Sequence, residues 1–245
     1  FCTDYSSSIE NIIRLFNRAD YDQALEAENN SGAKVLVEEI ERLMRDEACY
    51  NLRALKYSCQ KTAEMLDMLG CQVDVRFLRF ILCANAAFAM KLSKDSSLTW
   101  TDDIKSPIEL GNASYPLNRC CYEYIKKQYF AKEQFKRDEL NFLEQVSRNI
   151  KENALKEAWD ILMKFYLNSE ASVSNAVRTI YNYLCSNEEY FQFAEYGKLA
   201  NYLIAVRKYI DDENLIEKCM SKIIEKIDTA DYTVQDVREF NNHSG

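Results

Sequence analysis

WDILMKFYL (residues 159–167) and YLIAVRKYI (residues 202–210) are one pattern written twice, 43 residues apart. Trp159 falls on Tyr202, Ile161 on Ile204, Met163 on Val206, Lys164 on Arg207, Tyr166 on Tyr209 and Leu167 on Ile210. A polar break follows in each copy: Asn168, Ser169 and Glu170 in the first, Asp211, Asp212 and Glu213 in the second. Beyond it Val173 meets Ile216, Ala176 meets Cys219, Val177 meets Met220, Ile180 meets Ile223 and Leu184 meets Ile227. Apolar size is kept while polar residues drift, as expected if each copy buries the same face. A period of this length is the mark of stacked helical units.

Outward from this pair the same spacing continues. Val35, Leu36, Ile40, Leu43 and Met44 recur at three and four residues, the face of an amphipathic helix. Leu52, Leu55, Cys59, Ala63, Leu66 and Leu69 make the next face, and Gly70 predicts its end. Asp74 is placed to cap a helix containing Phe77, Leu78, Ile81, Leu82 and Ala86. No alternating strand pattern is visible, so the fold class expected is all-α.

Composition agrees. The chain has 245 residues, 47% hydrophobic and 29% charged, with five Gly and two Pro. Such a chain can bury a substantial core, yet it has little material for tight β-turns or phosphate-cradling loops. Residues 95–118 are the exception, holding both prolines (Pro107 and Pro116), Gly111 and many Ser, Thr and Asp. We read them as an irregular insertion in a single α-helical repeat domain, 1–245. A helical block, 1–94, precedes the insertion and the repeats, 119–245, follow it.

The net charge is -8, and the densest basic run (Lys126, Lys127, Lys132, Lys136 and Arg137) alternates with Glu123, Glu133, Asp138 and Glu139. That is a solvated helix face rather than a stripe for a nucleic-acid backbone, so nucleic acid is not an expected partner. Nine cysteines include no C-x-x-C pair and stand beside a single His, so neither a metal site nor another cofactor is expected. Most lie at apolar helical positions as reduced thiols, which suits the cytoplasm or nucleus. No window approaches the twenty or so apolar residues of a membrane span, and no signal-like run follows Phe1. The first residue, Phe rather than Met, suits a processed or partial chain.

AVRTIYNYLCSNEE (176–189) followed by GKLANYLIAV (197–206) resembles an armadillo repeat, with Gly197 before the third helix and Asp211 to Glu213 as the closing polar turn. The likeness covers about 154–228 best and extends more loosely over 61–85; HEAT-type helix pairs read similarly. Ala154 stands where Gly197 does, a departure from the family's pattern. DYDQAL (20–25) resembles a tetratricopeptide half-unit, but no second half follows. The armadillo/HEAT-like resemblance implies a right-handed α-solenoid whose third helices, about 155–167 and 198–210, line a concave surface. It also implies a non-enzymatic adaptor or scaffold that binds a protein or peptide segment there. The non-core positions on those helices are Glu157, Asp160, Lys164, Asn201 and Arg207. Lys164 and Arg207 align as a basic ladder for an acidic segment, and Asn201 offers a donor and an acceptor to a peptide backbone. Asn201 has no Asn counterpart at Ala158, so the nuclear-import activity of the family is not carried over.

Two alternatives stand beside this reading. REFNNH (238–243) matches the Arg-x4-His spacing of HEPN-type ribonucleases, which implies Arg238 on phosphate charge and His243 in acid–base transfer. The chain is otherwise a structural subunit packed into a larger assembly. Cys120 and Cys121 are the candidates for a reactive thiol, with Arg119 and Lys126 as the only cationic helpers, and burial is the better reading of both.

Overall fold

The computed structural model describes residues 5–29, 32–100, 107–110, 113–186 and 190–230, apart from the side chain of Glu213. These are mostly helical, as expected. The helices are α1 (Ser6–Arg14), α2 (Ala19–Leu25), α3 (Val35–Asp46), α4 (Leu52–Leu69), α5 (Val75–Lys94), α6 (Arg119–Lys127), α7 (Lys132–Met163), α8 (Glu170–Leu184), α9 (Phe193–Val206) and α10 (Glu213–Thr229). No helix among the described residues is long and apolar enough to cross a membrane. The chain divides into two compact units, 1–146 and 147–245, and the division falls within α7 rather than in the 95–118 stretch.

The first unit is built around α5. Every residue from Phe77 to Met90 except Arg79 is buried, so this helix is apolar all round and sits inside the unit. It packs against α2, α3, α4 and α6. Four alanines (Ala84, Ala86, Ala87 and Ala89) let those neighbours approach closely. Phe77 and Phe80 meet Phe142 of α7 at ring-centroid distances of 5.4 and 5.0 Å. The boundaries follow local chemistry. Asn51 caps α4 by accepting from the N–H groups of Arg53 and Ala54, and Asp74 caps α5 through Arg76 N–H. Gly70 ends α4 at φ +66°, a left-handed conformation in which a side chain would be strained.

One departure from an all-helical chain lies inside the irregular stretch. Strands β1 (Ile108–Leu110) and β2 (Ala113–Tyr115) form an antiparallel hairpin with Ile108 opposite Tyr115. Three-residue strands are too short to show alternation in sequence. Ile108 and Tyr115 are buried in the core of this unit, and β1 packs on α3 and α5.

The second unit holds the end of α7 with α8, α9 and α10, and α10 packs on both α8 and α9. Its core takes Leu155, Ala158 and Leu162 from α7, five residues from α8, and Leu199, Leu203 and Val206 from α9. The polar breaks read from the sequence are N-caps. Ser169 accepts from Ser172 N–H at the start of α8, and Asp212 from Leu215 N–H at the start of α10.

Burial follows the 43-residue alignment in one helix pair and departs from it in the other. On α8 and α10, Val173, Ala176 and Ile180 are buried like their counterparts Ile216, Cys219 and Ile223. On α7 and α9, Leu155, Ala158 and Leu162 are matched instead by Tyr196, Leu199 and Leu203, an offset of 41. The last helical residues, Met163 and Val206, still coincide at 43. Two residues correspond to more than half a turn of helix, so positions paired at 43 on these helices face differently with respect to the core.

Candidate functional site

The surface expected to meet a partner lies in the second unit, and its two ends differ in chemistry. At the C-terminal ends of α7 and α9 the chain makes tight turns. After Met163, Lys164 leads into a 3-10 turn, Phe165–Leu167. The Lys164 carbonyl accepts both the Leu167 N–H and the Asn168 side-chain amide. The corresponding turn after α9 is closed by Tyr209 N–H on the Val206 carbonyl at 2.8 Å. The two turns touch: the rings of Phe165 and Tyr209 lie 4.8 Å apart, edge to face. Tyr166 and Leu167 are 65% and 73% exposed, and Ile204 and Tyr209 are also open to solvent. The sequence pattern assigned these four to a buried face; instead they leave apolar side chains uncovered.

All five expected partner-binding residues are exposed. Glu157 and Asp160 are on α7, Lys164 begins the turn, Asn201 is on α9 and Arg207 is its C-cap. Arg207 reaches Glu217 of α10 at 3.5 Å, an exposed pair of small energetic weight. The structure therefore gathers Lys164 and Arg207 at the two adjoining turns. Asp160 lines a different feature.

That feature is a groove of about 530 Å3 between α7 and the start of α9. Glu152, Leu155, Lys156, Trp159 and Asp160 recur at helical spacing along one side. Tyr190, Phe191 and Glu195 form the other. Trp159 lies 6.0 Å from Phe191 and 6.2 Å from Tyr202, ring centre to ring centre. The Tyr183 hydroxyl donates to the Lys151 carbonyl at 2.6 Å, tying α8 to α7 beside it. Glu195 is oriented by a capping box, in which its carboxylate accepts the Gln192 N–H at 2.7 Å. Glu152, Lys156 and Asp160 make no ion pair among the described residues. Tyr190 and Phe191 were not singled out in the sequence, because they precede α9 rather than belong to its periodic face.

The first unit has a cavity of about 490 Å3 beside α6, floored by Phe80, Tyr115 and Phe142. Cys120 lines it, but burial and the neighbouring Asp138 push this thiol up to about 12. Cys121 is fully enclosed, and burial raises it well above its ordinary value. Neither is poised as a thiolate nucleophile. Arg238 and His243, the ribonuclease candidates, lie outside the described residues, as does Cys2. No group of three or more metal-ligating side chains occurs among the described residues. No protein-family model, curated protein or solved structure matches the chain.

Proposed function

We propose that this protein is a non-enzymatic adaptor that binds a partner segment through the α7–α9 side of its second unit. On this reading the helices of that unit are armadillo/HEAT-like repeats of an α-solenoid. The observation that carries the proposal is the pair of adjoining turns. Tyr166, Leu167 and Tyr209 are solvent-exposed there, next to the cations Lys164 and Arg207. Uncovered aromatic and aliphatic side chains clustered with charged neighbours are the composition of a contact surface rather than of a plain solvated face. The partner expected at this end is a segment with acidic and apolar residues, while Glu157, Asp160 and Asn201 meet its continuation along α7 and α9. The eight cysteines among the described residues are free thiols, in keeping with action in the cytoplasm or nucleus.

Affinity capture of the tagged protein, followed by mass spectrometry and size-exclusion of the eluate, tests the proposal. A stoichiometric protein partner that is lost with Tyr166→Ala/Leu167→Ser, and weakened with Lys164→Ala/Arg207→Ala at unchanged melting temperature, supports it. A partner retained at full strength by both variants removes the site. Recovery only within a large assembly, with aggregation of the isolated chain, favours the structural-subunit reading. Recovery of RNA shifts attention to His243.

A further inference from the structure

The groove of the second unit has a different character from the turns, and its chemistry selects a different ligand. Its floor is apolar and aromatic, formed by Leu155, Trp159 and Phe191. Among the described residues that line it, the charged groups are three carboxylates, Glu152, Asp160 and Glu195, and one cation, Lys156. Glu152 and Asp160 stand on the same side of α7, eight residues apart, so about 12 Å separates them along the helix axis. Trp159 lies between them near one end, its ring among those lining the groove. An ammonium group over an indole face gains electrostatically from the ring's quadrupole, and methylenes gain by covering the apolar floor.

We propose that this groove binds a linear aliphatic polyamine, with one ammonium group at Glu152, another at Asp160 and the methylene chain across Leu155 and Trp159. Spermidine fits the spacing, since its terminal nitrogens lie about 11 Å apart in the extended chain at tetrahedral bond geometry. Glu195, held by its capping box on the opposite wall, adds a third carboxylate to the groove. Lys156 lies on the same side of α7 midway between Glu152 and Asp160; it pairs with neither among the described residues, but its positive charge opposes a cation in the groove and so lowers the affinity. The groove shares Asp160 with the proposed partner surface but includes none of the turn residues that carry the adaptor reading, so it stands whether or not that reading does.

The test is calorimetric titration of the full chain with spermidine at low ionic strength, with the Trp159 indole resonance followed by NMR. Saturable one-to-one binding that moves this resonance is expected. Glu152→Gln/Asp160→Asn should weaken it about tenfold, and Lys156→Ala should tighten it about threefold. A protein of net charge -8 also attracts polycations diffusely. Glu133→Gln/Glu144→Gln, on exposed positions of α7 away from the groove, removes the same charge and should leave the affinity unchanged. Equal losses in the two double variants, no movement of the indole resonance, or no saturable binding would each overturn the proposal. So would equal binding of the uncharged 1,8-octanediol, and preferential binding of an arginine-bearing peptide over spermidine would reassign the groove to a protein ligand.

Discussion

The Glu39 carboxylate of α3 accepts the backbone N–H of Glu109 at 2.8 Å, a contact that spans 70 residues of chain. Glu39 is 4% exposed, and both its oxygens also take hydrogen bonds from the Arg42 guanidinium, at 2.7 and 2.8 Å. Arg42 continues to Asp46 and, at 3.7 Å, to the Glu109 carboxylate. One buried acid thus holds the hairpin against the helix. Glu39→Ala strands the Glu109 amide and leaves Arg42 without its innermost partner. Because Arg42 is partly solvated, we expect a loss of about 2 kcal/mol rather than the larger penalty of a fully buried pair. Glu39→Gln keeps an acceptor for the amide and should lose about half as much. Urea midpoints, with hydrogen exchange at the Glu109 amide, measure both; a Glu39→Ala variant as stable as the parent removes the contact from the stability of this unit.

Asn85, buried on α5, donates to Thr62 of α4 at 2.8 Å and to the Met65 sulfur at 3.5 Å, while its Oδ1 has no partner among the described residues. An unpaired buried acceptor costs more than a made hydrogen bond returns. Thr62→Val alone should therefore destabilise by about 1–2 kcal/mol, since it removes the amide's good acceptor as well. Thr62→Val/Asn85→Leu removes the polar pair together, and should be more stable than the single Thr62→Val variant. A double-mutant cycle by chemical denaturation gives the coupling, and a double variant weaker than Thr62→Val would show that the amide is satisfied in solution.

Legibility in the sequence depended on whether a residue's role is set by its own helix. The Gly70 stop and the Asp74 cap need only local backbone chemistry and stand where the pattern put them; the faces of α3 and α4 hold at Leu36, Ile40, Leu43, Met44, Leu55, Cys59, Leu66 and Leu69, whereas Val35, Leu52 and Ala63 are only half-buried. The polar breaks at Ser169 and Asp212 were legible for the same reason. The face of α9 was not. An apolar string such as YLIAVRKYI offers more than one stripe, and packing chose Leu203 and Val206 while leaving Ile204 and Tyr209 exposed. Matching helix ends made 43 the natural alignment, whereas burial in α7 and α9 runs at 41. The groove was invisible because Tyr190 and Phe191 enter it from a turn, brought to Trp159 by tertiary packing alone. Of the five partner-binding residues chosen by spacing, Lys164 and Arg207 share the turn region and Asp160 falls in the groove.

Acid should weaken the cap of α5. Arg76, through its side-chain hydrogen bond, holds the Asp74 carboxyl below its ordinary 3.8; burial opposes this and the Arg76 backbone N–H assists. Lys61 likewise lowers Glu64 from its ordinary 4.5, against burial and with help from the Tyr124 hydroxyl. A carboxylate depressed on folding stabilises the fold fully above its unfolded value, and that stability is lost as pH falls through its folded value. The stability advantage of the parent over Asp74→Asn should therefore be level near neutrality and shrink below about pH 4. Asp74→Ala, which also loses the capping acceptor, should cost about 1 kcal/mol at neutral pH. Denaturation midpoints at several pH values check this; an advantage over Asp74→Asn that grows on acidification would contradict the sign.

Thiol chemistry offers a sharp test of the packing. Among the described residues Cys71 and Cys185 are exposed, whereas Cys49, Cys59, Cys83, Cys120, Cys121 and Cys219 are buried. Burial pushes Cys59, Cys120 and Cys219 up to about 12, and raises Cys83 and Cys121 well above the ordinary thiol value, so these thiols are shielded from reagent and kept protonated at once. In a Cys2→Ser background, an aromatic disulfide reagent at pH 8 should label two thiols of the native protein rapidly. Peptide mapping should place both labels at Cys71 and Cys185. The other six should react only through unfolding, at a rate that rises with denaturant. Rapid labelling of Cys120 in the native state would mean that the cavity beside α6 opens to solvent, and would return that thiol to consideration as a reactive group.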